Sequence, residues 1–430
     1  MSREMKDSSI AWIGEIPKIW TILKVKDAFV RKNQKAHQEN PIVLSLARSG
    51  VKVRDISNNE GQIAESYYDY NPVEIDDLLI NPMDLYSGAN CSISKVNGVI
   101  SPAYVNLRHK ENISPRFYDY YFKTQYWAMS FFAHGKGISF DNRWTLGIDT
   151  LLNYYIPFPS FSEQQKIAEF LDRKCGEIDE LVALQEKMIE ELKAYKQSVI
   201  TEAVTKGLNP NAPMKDSGIA WIGEIPEHWE VCRVKNLCNL ISKGATPSTI
   251  DGEAYKGSVR FIKCENIVDN KLIDNSQYYI SSEINNVMKR SQLVENDVLF
   301  VIAGATIGKT AIVKKEFIPS NTNQAVSFIR LIDYNKAKLL WYILQSKVIQ
   351  TPLWINAVQS AQPNLSMEDL GNFTIIVPNT TEQQQIADYL DRKCAEIDEL
   401  VAVKQQKIET LKEYKKSLIY EYVTGKKEVI

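Results

Sequence analysis

The chain has 430 residues, of which 44% are hydrophobic and 24% charged, and its formal net charge is −2. These values predict a soluble protein of two or three domains and exclude a strongly basic DNA-coating protein. The longest apolar run lies between Asp297 and Lys309 and is too short to span a membrane. The six cysteines form no C-x-x-C pair, the N-terminal residues lack a signal-peptide pattern, and the four histidines lack metal-ligand spacing. We therefore expect a cytoplasmic protein with reduced thiols, no metal site and no membrane association.

The chain begins with a short repeat that returns once. Residues 5–17 are repeated at 214–226, and from 5 to 26 the two copies agree at 15 of 22 positions, at an offset of 209. Trp20 and Trp229 follow at the same distance in each copy. Tryptophan and isoleucine anchors beside a Gly-Glu-Ile-Pro turn predict a folded structural segment at the start of each half.

Each short repeat leads into a variable segment that hardly resembles its counterpart. Both variable segments have the pattern of short strands separated by Gly, Pro and Asn. We predict strands at 42–47, 78–80 and 103–107 in the first half, and at 259–263, 298–303 and 325–331 in the second. Helical pieces are expected at 115–132 and 336–350, and an apolar strand at 154–159 or 373–378 closes each segment.

The most extensive repeat is helical. Residues 163–182 and 382–401 are identical at 16 of 20 positions, at an offset of 219, and both copies are rich in Glu, Lys, Leu, Ile and Ala. This composition predicts two long helices, and Gly207 is expected to end the first. Each helix also carries a stripe with coiled-coil spacing. The stripe consists of Leu171, Ile178, Leu181, Gln185, Leu192 and Val199 in the first helix and Leu390, Ile397, Leu400, Lys404, Leu411 and Leu418 in the second.

An apolar stripe of this length needs a covering partner, and the other copy of the helix can supply one. We therefore predict that the two long helices pair with each other and act as a rigid spacer. A polar position on the seam, as at Gln185 and Lys404, can fix the register of such a pair. The alternative is that each long helix is a surface helix on one of two domains.

One motif suggests nucleotide binding. Residues 303–310 resemble a relaxed phosphate-binding loop, but the following stretch is β-branched and is soon interrupted by Pro319. A long helix cannot begin at Lys309 and present its N-terminus to a phosphate. We predict a turn between two strands here, and a nucleotide hydrolase using Lys309 is the rival. The sequence contains no other catalytic pattern, so we expect this chain not to be an enzyme by itself.

Several polar loop residues in the variable segments are suited to DNA phosphates and base edges. Any one of them could equally be a solvated loop residue. In the first half the candidate DNA-binding residues are Arg48, Lys52, Arg54, Asn90, Lys136 and Arg143, and in the second they are Lys243, Thr246, Lys263, Asn266, Lys309, Asn321, Asn323 and Gln324.

With these features, the chain resembles the specificity subunit of a type I restriction–modification system over essentially its whole length. The resemblance rests mainly on the duplicated Pro-x-x-x-Glu-Gln-Gln helix openings, at Pro159 and Pro378, and on the Ile-Gly-Glu-Ile-Pro segments. Ser-Pro-Ala-Tyr at 101–104, Asp-Val-Leu-Phe at 297–300 and the Gly-rich stretch at 304–309 add to it.

The resemblance implies an α+β fold in which two mixed target-recognition domains are separated by a long antiparallel two-helix coiled coil, a tandem repeat with pseudo-twofold symmetry. The implied domains are target-recognition domain 1 (1–158), a central long helix and linker (159–213), target-recognition domain 2 (214–378) and a C-terminal long helix (379–430).

The resemblance also implies a function. Such a subunit reads a split site on double-stranded DNA and binds two methyltransferase subunits, whether or not a motor-nuclease subunit joins them. It binds no cofactor itself, and S-adenosylmethionine is expected in the partner methyltransferase. The remaining rival is a duplicated scaffold that binds only proteins.

Overall fold

The computed structural model describes residues 3–56, 64–83, 85–86, 90–139, 144–247, 257–275, 278–358 and 364–429. The chain divides into two compact units, the first comprising Met1–Gln185 with Gln406–Ile430 and the second Glu186–Gln405. Both boundaries fall inside the long helices, so each unit contains one variable segment, the start of one long helix and the end of the other. The four segments 1–158, 159–213, 214–378 and 379–430 stay a prediction.

The first half of the chain contains short strands, four short helices and the first long helix. Its strands are β1 (Met5–Asp7), β2 (Glu15–Pro17), β3 (Thr21–Lys24), β4 (Phe29–Lys32), β5 (Leu44–Ala47), β6 (Gly50–Val53), β7 (Asn71–Val73), β8 (Leu78–Ile80), β9 (Cys91–Ile93), β10 (Gly98–Ile100), β11 (Val105–His109) and β12 (Tyr155–Phe158). Its helices are α1 (Val25–Ala28), α2 (Pro115–Trp127), α3 (Ser130–Ala133), α4 (Ile148–Leu152) and the long α5 (Phe161–Lys206).

The second half also contains short strands, short helices and one long helix. Its strands are β13 (Met214–Asp216), β14 (Glu224–Pro226), β15 (Glu230–Arg233), β16 (Cys238–Lys243), β17 (Val259–Ile262), β18 (Ile267–Val268), β19 (Lys271–Leu272), β20 (Tyr279–Ile280), β21 (Val298–Val301), β22 (Thr310–Ile312), β23 (Ser320–Thr322), β24 (Val326–Leu331) and β25 (Thr374–Val377). Its helices are α6 (Ser282–Val287), α7 (Ala337–Gln345), α8 (Lys347–Val358), α9 (Met367–Asn372) and the long α10 (Thr380–Val423). Each predicted strand and helix overlaps one of these elements.

The two variable segments, despite their different sequences, contain the same central sheet. In the first unit four antiparallel strands lie in the order β4-β11-β8-β9, and in the second the order is β16-β24-β21-β22. Leu107 faces Leu78 across the first sheet, as Ile329 faces Val298 across the second. The duplication seen in the two sequence repeats therefore extends to the central sheet of each variable segment.

Both sheets are also braced by the same buried ion pair. Asp77 and Asp297 are fully buried just before β8 and β21. Nε of Arg108 lies 2.9 Å from Asp77 Oδ1, and Nε of Arg330 donates to Asp297 Oδ1 at 2.8 Å. Burial raises the pKa of Asp297, and the Arg330 hydrogen bonds oppose that rise. A buried carboxylate needs such a partner, so each half-buried arginine serves to hold the carboxylate beneath it.

The strand that closes each variable segment pairs with the strand that follows the short repeat. Tyr155 of β12 faces Lys24 of β3, and Thr374 of β25 faces Arg233 of β15. This pairing places each short repeat at the start of a long helix.

Within each unit the two long helices run antiparallel and touch. In the first unit the rings of Phe170 and Tyr422 are 4.4 Å apart, and Lys415 Nζ donates to Asp179 Oδ2 at 2.6 Å. In the second unit Lys196 Nζ donates to Asp398 Oδ1 at 2.6 Å. The predicted helix pairing is therefore confirmed within each unit.

The predicted stripe is wrong at Leu181 and Leu400. These two residues are 43% and 51% exposed, whereas the other members of the stripe are buried or half-buried. The residues buried beside the heptad series of Leu171 and Leu390 lie four positions after its members, at Cys175, Ile189, Cys394 and Ile408. Apolar residues occupy both candidate rows, and packing against the variable segment and the other helix selects this one.

The Lys309 region is a hairpin turn. Strands β21 and β22 pair antiparallel on either side of it, and Gly304 and Gly308 adopt positive φ angles of 86° and 91°. Lys309 Nζ donates to the Ile267 carbonyl oxygen at 3.4 Å. The predicted turn is confirmed. Lys309 is followed by the paired strand β22 and not by a helix, whose unpaired N-terminal N–H groups could bind a phosphate.

Among the described helices, none combines the length and the apolar character that crossing a membrane requires.

Candidate nucleic-acid interface

In the second variable segment, two parallel strands bring polar side chains together at their carboxyl ends. Strands β17 and β23 pair in parallel, with Ile262 opposite Thr322. Lys263 and Asn323 directly follow these residues, and the Asn323 backbone N–H donates to the Ile262 carbonyl oxygen at 3.3 Å. Both side chains therefore leave the sheet at the same edge.

A glycine brings the end of β16 to the same edge. A Cβ at Gly244 would lie only 1.7 Å from the Thr322 carbonyl oxygen, so only glycine permits this approach. Lys243 and Thr246 flank this glycine, and Thr246 is hydrogen-bonded to Gln324.

The residues Lys243, Thr246, Lys263, Asn323 and Gln324 form what we call the β17–β23 cluster. Its Lys243, Thr246 and Gln324 are exposed and the other two are half-buried. Ammonium groups suit phosphate oxygens, and amide and hydroxyl groups can donate to and accept from base edges. The cluster thus brings groups suited to phosphates and groups suited to base edges into one place.

Two predicted DNA-binding asparagines lie inside the second unit instead. Asn266 is 1% exposed and Asn321 is fully buried. Asn266 Nδ2 donates to Asn275 Oδ1 at 2.7 Å, and Asn321 Nδ2 donates to Asn285 Oδ1 at 2.8 Å. Their amides hold loops together, and Lys309 is similarly directed at a backbone carbonyl. The β17–β23 cluster does not include these three residues.

In the first variable segment, the predicted cations lie on and beside the β5–β6 hairpin. Arg48 is in its turn, Lys52 is exposed on β6, and Arg54 follows β6 and is half-buried. Asn90 supports the hairpin, because its Nδ2 donates to the Ala47 carbonyl oxygen at 2.8 Å. Three of the predicted residues thus lie on or next to one hairpin, to which Asn90 is hydrogen-bonded.

The remaining candidates of the first half lie elsewhere. Lys136 is exposed and its backbone N–H donates to the Thr145 carbonyl oxygen at 2.9 Å, so it belongs to the loop that precedes α4. Arg143 lies outside the described residues.

Sequence reasoning missed Gly244, whose role becomes apparent only from its contact with Thr322. The weak signal in the sequence is a glycine immediately after a β-rich stretch, which often marks close backbone approach.

Each unit also exposes apolar residues on its long helices. In the first unit these are Leu181, Leu184 and Tyr414, and in the second they are the repeat-related Leu400, Val403 and Tyr195. We call each set a helix triad. At about 100° per residue, Leu181 and Leu184 lie ~160° and ~140° around α5 from Asp179, which faces the partner helix. Leu181 and Leu184 therefore lie on the side of α5 that is turned away from the partner helix, and the same pair of exposed apolar residues recurs at Leu400 and Val403.

Comparison with known proteins identifies the family. The model of the type I restriction modification DNA specificity domain matches residues 17–194 and 226–413, one match in each half. The chain is 24% identical over 419 residues to the type I restriction enzyme EcoBI specificity subunit of Escherichia coli, a match that covers 93% of this chain and 84% of that protein. It is 26% identical over 361 residues to the MjaVIII specificity subunit of Methanocaldococcus jannaschii, covering 81% and 80% of the two chains.

A solved structure shows the same fold. It comes from work on complex assembly and conformational transition of the type I R-M system, and it aligns with a TM-score of 0.70 at 16% identity over 96% of this chain and 99% of that one. The duplicated architecture and the paired matches lead to one conclusion: this chain belongs to the family of type I restriction–modification DNA specificity subunits.

Proposed function

We propose that this chain reads a split DNA target, with one half recognised by each variable segment. The observation that carries this proposal is that both segments are built on the same sheet and the same buried Asp–Arg pair but present different polar elements. The first presents the β5–β6 hairpin with Arg48, Lys52 and Arg54, and the second presents the β17–β23 cluster. A common framework with different reading elements suits a target whose halves differ in sequence.

The long helices then set the separation of the two half-sites. Helix α5 has 46 residues, which at 1.5 Å per residue correspond to about 69 Å. Half-sites one DNA turn apart are separated by about 34–36 Å, so a helix of this length is sufficient for the span. A rigid pair of helices fixes the number of unread base pairs between the half-sites.

The helix triads are the proposed docking sites for methyltransferase subunits. Each unit offers one triad, and the two are related by the repeat, which favours two copies of one partner. Catalysis and S-adenosylmethionine binding would belong to that partner, and this chain would bind no cofactor and act as the non-catalytic recognition subunit.

The decisive experiment is to co-express the chain with its methyltransferase in a host that lacks other modification and to map methylated bases. We expect two short sequence blocks separated by a constant number of unspecified bases. A single continuous target would contradict the split-site proposal. Gel-shift assays at low salt, with and without the methyltransferase, separate DNA reading from the alternative of a scaffold that binds only proteins.

A further inference from the structure

Each variable segment is attached to its long helix by the same two-point contact. In the first unit, Tyr120 of α2 donates from its hydroxyl to Asp172 Oδ1 at 2.7 Å. Arg116, one turn earlier on α2, binds the other oxygen of the same carboxylate. Asp172 lies on α5 in the repeated Leu-Asp-Arg-Lys-Cys sequence.

The second unit repeats this contact with a lysine in place of the arginine. The Tyr342 hydroxyl donates to Asp391 Oδ1 at 2.8 Å, and Lys338 Nζ donates to Asp391 Oδ2 at 2.5 Å. Burial raises the pKa of both tyrosines, so each phenol stays protonated and donates. We call the cation and the tyrosine, four residues apart, the fork.

The fork persists although its surroundings have changed. Residues 115–120 are Pro-Arg-Phe-Tyr-Asp-Tyr, and 337–342 are Ala-Lys-Leu-Leu-Trp-Tyr. Within these six positions only the tyrosine is identical. The second position is a cation in both copies, and the third is a buried apolar residue, Phe117 or Leu339. The aspartates, in contrast, belong to the strongly repeated helices. Two otherwise different surfaces thus present the same pair of donors to one carboxylate.

The fork adds directional contacts to the apolar packing between each variable segment and its helix. Burial of Tyr118, Phe117 and Leu171 in the shared core stabilises the attachment through the area removed from water, and that contribution is itself non-directional. Hydrogen bonds weaken steeply when they are bent, and two of them to both oxygens of one carboxylate resist rotation as well as sliding.

We propose that the fork on Asp172 and Asp391 is the mount that fixes the angle of each variable segment on its helix, and thereby the gap length that the protein accepts. This inference rests on the proposed function. A 100-residue domain has a radius of gyration of ~13 Å, so its far side lies ~25 Å away. A rotation of about 10° would move that side by ~4 Å, which exceeds the ~3.4 Å rise of one base pair.

The test replaces each aspartate by alanine, and the matched controls are Glu177→Ala and Glu396→Ala. The control residues are repeat-related and lie on the same helices, where each accepts from a lysine three residues earlier at 2.7 Å. The methyltransferase complex of each variant is given a DNA library with constant half-sites and a gap that varies by up to two base pairs. We expect the wild type and the controls to prefer one gap length by at least a hundredfold. Asp172→Ala and Asp391→Ala should reduce that preference to within tenfold while the half-site bases remain unchanged.

A second measurement does not depend on DNA. Spin labels at the exposed positions Lys95 and Glu180, both in the first unit, report the orientation of the variable segment on α5. We expect Asp172→Ala to broaden their distance distribution and Glu177→Ala to leave it unchanged. If the alanine variants kept both the narrow spin-label distance distribution and the gap preference, the fork would not fix the angle of the variable segment. Absence of split-site methylation by the wild type would instead contradict the proposed function, and the spin-label result would still decide the mount.

Discussion

The indole Nε1 of Trp20 donates a hydrogen bond to Glu163 Oε2 at 2.9 Å, and the same ring lies against the end of the other long helix. A Cβ placed on Gly425 would be 3.0 Å from the Trp20 ring. Trp229 repeats this arrangement, donating to Glu382 Oε2 at 3.0 Å and lying against Gly207. One tryptophan in each unit thus joins the start of one long helix to the end of the other.

The first prediction concerns two glycines of the first unit. Gly425 has a φ of +74°, and a Cβ there would lie 2.5 Å from Pro17. Gly425→Ala should therefore destabilise the protein by about 1–2 kcal/mol, because the left-handed backbone strains an alanine. The close contact of the new Cβ with Pro17 should increase this loss. A Cβ at Gly176, inside α5, would meet no described atom within 4 Å. Gly176→Ala should stabilise by about 0.5–1 kcal/mol. Thermal unfolding of both variants measures this, and equal midpoints would contradict it.

The second prediction concerns the buried pair of Arg330 and Asp297. Arg330→Met should cost about 3–5 kcal/mol, because it leaves a carboxylate buried without its partner. The pKa of Asp297 is raised in the folded protein, so protonation favours the fold and the benefit is lost as pH rises through the folded pKa. The cost of Arg330→Met relative to wild type should therefore shrink as the pH is lowered. Denaturant unfolding at several pH values checks this. The double variant Arg330→Met with Asp297→Leu should recover part of the lost free energy of unfolding. If the loss caused by Arg330→Met did not change with pH, it would not come from leaving the Asp297 carboxylate unpaired.

The third prediction compares residues of the β17–β23 cluster with the buried Asn321. Lys243→Ala and Lys263→Ala should each weaken DNA binding and reduce the magnitude of the slope of log affinity against log salt by about 1. Gln324→Ala should change which bases are methylated in one half-site while leaving the melting temperature close to that of the wild type. Asn321→Ala should do the opposite and lower stability by about 1–3 kcal/mol, because buried partners lose their hydrogen bonds.

Salt-dependent binding, methylation mapping and thermal unfolding measure these three effects. Lys315→Ala is the matched control, since Lys315 is an exposed lysine of the same unit outside the β17–β23 cluster. If this control lowered the salt slope as strongly as the cluster lysines, the cluster would not be the interface.

The fourth prediction tests the helix triads. Leu181→Asp with Leu184→Asp should remove one of two methyltransferase subunits, because a charge in an apolar contact is costly to bury. Leu400→Asp with Val403→Asp should remove the other. Combining all four changes should leave a chain that binds no methyltransferase subunit. Native mass spectrometry counts the subunits. Unchanged stoichiometry in all variants would place the docking surface elsewhere, and unchanged melting of the isolated chain serves as the control for folding.

The fifth prediction concerns Arg3 and Gly425, which both lie close to Trp20. The Arg3 guanidinium lies 5.3 Å from the Trp20 ring, and a Cβ placed on Gly425 would lie 3.0 Å from it. In the second unit the exposed segment 208–211 makes the equivalent connection within the chain. Joining residue 429 to residue 3 by a short glycine–serine linker and opening the chain between Pro210 and Asn211 should preserve both units. Circular dichroism melting and gel-shift binding should match those of the parent, and loss of folding would contradict this prediction.

The sequence by itself determined the elements whose signal is local. The two repeats, the long helices, the positions of several strands and the Lys309 turn follow from periodicity, glycine placement and proline placement, which act over a few residues. The buried members of the helix stripe, such as Leu171 and Leu390, were also predictable, because an amphipathic helix must cover its apolar face.

Only the tertiary structure decided which of two apolar rows is buried, so that Cys175 and Ile189 face inward while Leu181 faces outward. Only the fold revealed that the two variable segments share one sheet, since backbone pairing tolerates many side-chain sequences. The burial of Asn321 and the convergence of Tyr120 and Arg116 on Asp172 likewise depend on contacts between residues far apart in the chain. Such contacts leave no local pattern, because their geometry is set by packing rather than by neighbouring residues.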